Sequence, residues 1–150
     1  MKIKTATRDY EAWLASKVTL VERDLKLKHR RMAESPFVFL RGTFYRWLQL
    51  WPTACRQAAD APSVIAIGDL HVENFGTWRD HEGRLVWGIN DVDEACRLPY
   101  TQDLVRLATS ACLAAASRQL SVTKREICRS ILDGYMTNLT RGGQTIVLAE

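Results

Sequence analysis

Tyr10, Trp13, Leu14, Val18, Val21, Leu25 and Met32 recur mostly at three- and four-residue steps. That spacing lays apolar side chains along one stripe and predicts an amphipathic helix over the stretch, with the basic residues mostly off the stripe. Ser35-Pro36 then reads as an N-cap followed by proline at the first helical position. Phe37, Leu40, Phe44, Trp47, Leu48 and Trp51 form the next stripe, and Pro52 is expected to stop it. An aromatic stripe of this kind reads as core. At roughly 1.5–3 kcal/mol per fully buried large side chain, it anchors a fold rather than binding a cofactor.

The pattern then changes. Residues 64–67 and 84–89 are short β-type apolar runs and are the strand candidates. Between them, Asp80-His81-Glu82-Gly83 has turn chemistry, and residues 68–79 read as a loop. Pro99 precedes a helix from about residue 102 to 119, carrying Leu104, Leu107, Ala108, Ala111, Cys112 and Ala115. Thr123 and Glu126 form a capping-box signature for a last helix. Ile127, Ile131, Tyr135 and Leu139 continue it, and Gly142-Gly143 ends it. Ile146-Val147-Leu148 begins a further apolar segment. The expected class is α/β in the α+β sense, mostly helical, with a short β-hairpin. The 150 residues suit a single domain.

Composition narrows the classes. With 47% hydrophobic and 25% charged residues the chain can bury a core, so wholesale disorder is excluded. The N-terminus lacks the apolar core of a signal peptide, and no apolar run reaches the roughly 18 residues of a membrane span. A cytoplasmic protein with no membrane contact is expected. Cys55, Cys96, Cys112 and Cys128 have no C-x-x-C spacing, which argues for reduced thiols and against a zinc site. The net charge of +4 is local: residues 17–31 hold six basic and two acidic residues. Exposed charges are screened beyond about 8 Å at physiological salt. No aromatics are interleaved with this run, so it reads as a solvated helix face and not a nucleic-acid surface.

Chemistry concentrates after the two strand candidates. Asp69 follows the first and stands in the spacing D-x-x-x-x-N with Asn74. A second cluster, Asn90-Asp91-Val92-Asp93-Glu94, follows the other. In phosphoryl transfer an acid orients the attacking hydroxyl or accepts its proton, and an amide oxygen holds a magnesium ion that also touches the nucleotide phosphates. Magnesium favours hard oxygen ligands and takes one or two carboxylates plus phosphate and water. Asp69, Asn74 and Asp91 meet that demand and are expected to converge on one ion. Without a cation, packed carboxylates repel and one takes up a proton.

The strings Gly-Asp-Leu-His-Val-Glu-Asn and Ile-Asn-Asp-Val-Asp-Glu resemble the catalytic and metal-binding segments of aminoglycoside phosphotransferases and other protein-kinase-like enzymes. Together with Ser35-Pro36-Phe37, Phe39-Leu40-Arg41-Gly42 and Asp103-Leu104-Val105-Arg106-Leu107-Ala108, they resemble an uncharacterised bacterial family, domain of unknown function 2252, over nearly the whole chain. The resemblance implies the catalytic C-lobe part of a kinase-like fold, the hairpin carrying the site. It implies Asp69 as the catalytic acid, Asn74 and Asp91 as metal ligands, and Asp103 as the helix aspartate bracing the loop from below. It implies Mg2+ and ATP as cofactors and an unidentified acceptor.

Two departures bear on this. Ile67 stands where kinases place a histidine, and no glycine-rich phosphate loop with a strand lysine is present. Longer members of the family carry a glycine-rich segment and a lysine downstream, so a C-terminal nucleotide-binding segment is expected to complete the site. His71 reads as a loop-ordering hydrogen bonder, and Glu73 as solvated or paired with an arginine. Asp93 has two readings, a second metal ligand or a partner for Arg97. Asp103 by itself also suits the N-terminal turn of its helix. Two rival functions remain. Gly-Asp-Leu-His resembles the first motif of two-metal phosphoesterases, but such a site needs several histidines downstream, and the chain has only His29, His71 and His81. A non-catalytic kinase-like binding module is the other.

Overall fold

The computed structural model describes residues Met1–Ala149. More than half of the chain is helical, and the strands form two small antiparallel sheets, an α+β arrangement. No helix among the described residues is long and apolar enough to cross a membrane. The chain packs as two compact units, Met1–Asp60 and Ala61–Glu150.

The first unit is all helical: α1 (Ile3–Ala15), α2 (Glu22–Met32), α3 (Pro36–Gly42), α4 (Phe44–Ala54) and the single turn α5 (Arg56–Ala59). The helix expected across residues 10–32 is two helices. Its apolar stripe breaks at Ser16, where the Ser16 hydroxyl caps backward onto the Trp13 carbonyl and the chain leaves helical geometry until Val21. Ser35 is the N-cap of α3 as expected: its Oγ accepts the Val38 N–H at 3.2 Å, with Pro36 at the first position. The next stripe also divides, at Thr43, whose hydroxyl donates to the Phe39 carbonyl at 2.7 Å. Pro52 does not end α4 but sits inside it. Its ring removes one hydrogen bond near the C-terminus, and the Cys55 N–H still closes the last turn on the Trp51 carbonyl at 3.0 Å. Tyr10 stacks on Tyr45 with centroids 4.2 Å apart, joining α1 to α4, and Lys28 of α2 lies over the Tyr10 ring. Leu40 and Trp51 are buried with Ala6.

The second unit holds the strands. In chain order it runs β1 (Ser63–Ala66), a 3₁₀ turn at Val72–Asn74, β2 (Phe75–Arg79), β3 (Leu85–Ile89), β4 (Cys96–Pro99), α6 (Thr101–Ser117), α7 (Lys124–Thr140) and β5 (Ile146–Ala149). The two strand candidates are present, but they belong to different sheets. β1 pairs with β4, and β3 lies between β2 and β5. The hairpin is therefore β2–β3, closed by the Asp80–Gly83 turn, and β2 occupies part of what reads in the sequence as loop. Asp80 shapes that turn by accepting the N–H groups of Glu82 and Arg84, both at 3.0 Å. Val86, at the centre of the hairpin, is fully buried.

α6 and α7 pack side by side, Tyr100 before α6 stacking on Tyr135 late in α7. The capping box at the start of α7 is complete: the Glu126 N–H donates to Thr123 Oγ1, and the Thr123 N–H donates back to Glu126 Oε2.

Candidate active site

β1 ends at Ala66, and the chain turns sharply at Gly68, which has φ of +88° and is buried. A Cβ there would stand 2.5 Å from the carbonyl oxygen of Glu94. Only glycine permits this backbone and this approach. The contact brings the loop after β1 against the loop after β3, so the two acidic segments meet although their strands lie in separate sheets.

α6 fixes the first loop through three residues on one face. Asp103 accepts the Ile67 N–H at Oδ2, 2.7 Å, and the Gly68 N–H at Oδ1, 3.0 Å. Arg106 is fully buried, and its Nε and a terminal nitrogen both donate to Asp69 Oδ1. Ser110, also fully buried, accepts the Val72 N–H at Oγ, 3.2 Å. The expected contact of Asp103 with the loop backbone is thus present at Gly68, and it extends to Ile67. Burial pulls the Arg106 guanidinium below its ordinary range, and the Asp69 carboxylate opposes that fall.

The second oxygen of Asp69, Oδ2, lies 4.0 Å from Nε2 of the buried His71. Asn74 is 4% exposed and its amide faces the other loop: Oδ1 accepts the Asp91 N–H and Nδ2 donates to the Asp91 carbonyl, each at 2.8 Å. The Asn90 N–H donates to the Asn74 carbonyl at 2.9 Å. Asn74 therefore locks the base of the hairpin and sets the backbone of Asp91. The Asp91 side chain is exposed and its Oδ1 accepts the Asp93 N–H at 3.2 Å. Asp93 and Glu73 are exposed as well. His81 lies in the hairpin turn beside Glu82, and His29 pairs with Glu11 in the first unit.

Besides Ser110, two charged residues of this region are not singled out from the sequence. Arg106 is the only charged residue of the otherwise apolar and small-residue stretch 104–117, and a lone charge in such a helix is a signal, since arginine is almost never fully buried unless paired. Glu94 is the other. Partial burial raises the pKa of its carboxyl, and the charges of Asp69, Asp91 and Asp93 add to the rise. Glu94 therefore feels carboxylates of both loops.

Among the described residues, no three His, Cys, Asp or Glu side chains come together closely enough to hold a metal ion between them. The donor set does not make a closed cage of the calcium or zinc kind. Magnesium bound with a nucleotide needs less, one or two carboxylates beside phosphate oxygens and water. The exposed carboxylates of Asp91 and Asp93 fit that chemistry, and the repulsion felt at Glu94 is what a cation would relieve. The Asn74 oxygen already accepts one hydrogen bond, which leaves it a single lone pair for any ion.

Residues 20–150 match a family model described as an uncharacterized protein conserved in bacteria, domain of unknown function 2252. The matched span contains every residue of the two loops and of α6. No curated protein and no solved structure matches the chain.

Proposed function

We propose, for this chain, which belongs to the bacterial family of domain of unknown function 2252, the role of catalytic part of a magnesium- and nucleotide-dependent phosphotransferase. The observation that carries this reading is the bracing of the loop before Asp69. Asp103 takes up the two successive backbone N–H groups just before Asp69, where Gly68 lies against the Glu94 carbonyl of the second acidic loop. The same feature is what the kinase-like resemblance implies for a helix aspartate below a catalytic loop.

In this reading Asp69 orients the hydroxyl of the acceptor and receives its proton. The hydroxyl oxygen forms a bond to the γ-phosphorus of the nucleotide as the bond to the β–γ bridging oxygen breaks, and the nucleoside diphosphate leaves. Asp91 and Asp93 are the residues that would hold magnesium, which supplies neutralisation of phosphate charge when bound. Asn74 serves by fixing Asp91. Positioning and electrostatics provide nearly all of the rate in this chemistry. Phosphates also need backbone N–H donors and a lysine to fix them, and no such segment is recognisable in these residues. The acceptor is unassigned, and the chain by itself is expected to be a weak binder.

The test has two parts. Calorimetric titration of magnesium-ATP into the 150-residue protein should give weak binding, and hydrolysis should be slow or absent. Tight binding with turnover lost in Asp69→Asn would mean that the phosphate cradle is built from unrecognised residues here. Separately, Mn2+ should broaden the backbone amide resonances of Asp91 and Asp93, and Asp91→Asn should weaken that effect. If Mn2+ leaves those amides untouched, the phosphotransfer reading gives way to a non-catalytic binding module.

A further inference from the structure

We infer that Arg106 is a positioning residue for Asp69, selecting which carboxylate oxygen is presented for chemistry; this rests on the phosphotransfer reading above. The guanidinium donates twice to Oδ1, from Nε and from a terminal nitrogen, so that oxygen is saturated from within the protein. Oδ2 remains, on the side of His71. A carboxylate on a short side chain with one oxygen pinned has one orientation left to offer. Asp103 and Ser110 hold only backbone N–H groups of this loop, at Ile67, Gly68 and Val72. They place the Cα of residue 69 but do not determine its side-chain rotamer. Arg106, one turn from each of them, supplies that missing constraint.

Stability alone is a poor explanation for the pair. Taking a guanidinium fully out of water is costly, and well-packed apolar residues in place of a buried ion pair are often neutral or stabilising. Arginine, with a planar multi-donor head, gives orientation that an apolar residue cannot.

The experiment reads the Asp69 rotamer directly, by Hα–Hβ scalar couplings in the wild-type protein and in Arg106→Met and Arg106→Lys, with amide hydrogen exchange alongside. In the wild type the couplings should report one rotamer. In Arg106→Met they should fall to averaged values while the amides of Ile67, Gly68 and Val72 keep their protection. Arg106→Lys, which retains a cationic donor, should restore a dominant rotamer. Should the methionine variant fail to fold, Arg106→Gln, a neutral and shorter side chain, is expected to show the same averaging. A single Asp69 rotamer in the folded methionine or glutamine variant overturns the proposal. So does loss of amide protection in step with the rotamer, because Arg106 would then be a general anchor of the loop. The Mn2+ broadening at Asp91 and Asp93 is read in the same samples. Its absence from the wild type sinks the phosphotransfer reading, and with it the catalytic meaning of the orientation. Its presence together with an unmoved Asp69 sinks the role of Arg106 alone.

Discussion

Gly68 shows how much a single position can carry. Alanine there would need a left-handed backbone and would meet the Glu94 carbonyl. Gly68→Ala is therefore expected to cost about 3 kcal/mol in urea unfolding, and to separate the two acidic loops. Asp103→Ala should cost a similar amount, about 3 kcal/mol, because two part-buried N–H groups lose a charged acceptor. Its signature would be faster amide exchange at Ile67 and Gly68 before any change in α7. Glu94 gives a prediction of opposite sign. Its folded pKa is raised, so the native state holds its proton more tightly than the unfolded chain, whose value is about 4.3. The resulting penalty is absent below that unfolded value and is fully present above the folded one. Glu94→Gln should thus raise the thermal midpoint at about pH 7, and the gain should vanish as the pH approaches about 4. A midpoint gain that is the same at both ends would refute the raised pKa of Glu94, which burial and the neighbouring carboxylates together produce. None of these three roles is written in the residue itself. A glycine after a strand and a glutamate after two aspartates look like turn chemistry until the partner loop is known.

Elements with their own local signals were legible in the sequence. Ser35 with Pro36, and Thr123 with Glu126, announce helix starts because capping is a contact between near neighbours in the chain. The α7 box carries a pH dependence. The backbone and side-chain hydrogen bonds from Thr123 hold the Glu126 carboxyl below its usual range. Its contribution is therefore present above the unfolded pKa and is lost as the pH falls through the folded one. Amide protection in the first turn of α7 should decline under acid in the wild type, and Glu126→Gln should remove that dependence. Strand pairing was less legible. β2, Phe75-Gly76-Thr77-Trp78-Arg79, lacks a β-branched apolar run, and Gly76 faces Gly88 across the hairpin. β4 holds Cys96, Arg97 and a proline, and is a strand because β1 lies beside it. Such elements owe their form to partners distant in sequence, which local propensity does not record. The breaks at Ser16 and Thr43 were missed for a related reason: the apolar stripes run on through them, while side-chain bonds to the backbone end the helices.

At the scale of the molecule, the two units differ in charge. Met1–Asp60 carries twelve basic and six acidic residues, and the remainder nine basic and eleven acidic. The acidic excess lies in the unit with the candidate site, where a divalent cation would relieve it. Millimolar Mg2+ is accordingly expected to raise the thermal midpoint of the wild-type protein, and the paired change Asp91→Asn with Asp93→Asn should abolish the rise. An equal rise in the doubly substituted protein would mean that the cation acts elsewhere. The sequence made the acids of the site readable, since they follow apolar runs in short clusters. It hid the support, Arg106 and Ser110, because nothing local distinguishes a helix face turned toward a loop from one turned toward another helix.

The three anchors on α6 carry a consequence for change over time. Asp103, Arg106 and Ser110 recur at steps of three and four, so their common facing is a property of helical phase. One residue inserted between Leu104 and Val105 would swing Arg106 and Ser110 through about 100° relative to Asp103, and the loop would lose its hold at a stroke. The hairpin tip is the reverse. Gly83 has open space around its Cβ position and the neighbouring Glu82 is exposed. Length there answers only to the local turn that Asp80 holds and to the strands that it joins. Related chains should therefore differ in length at residues 80–83 and hold strict count from Asp103 to Ser110. The reach of this fold for new chemistry then lies at the tip of its hairpin, while the spacing within one helix is the part it cannot renegotiate.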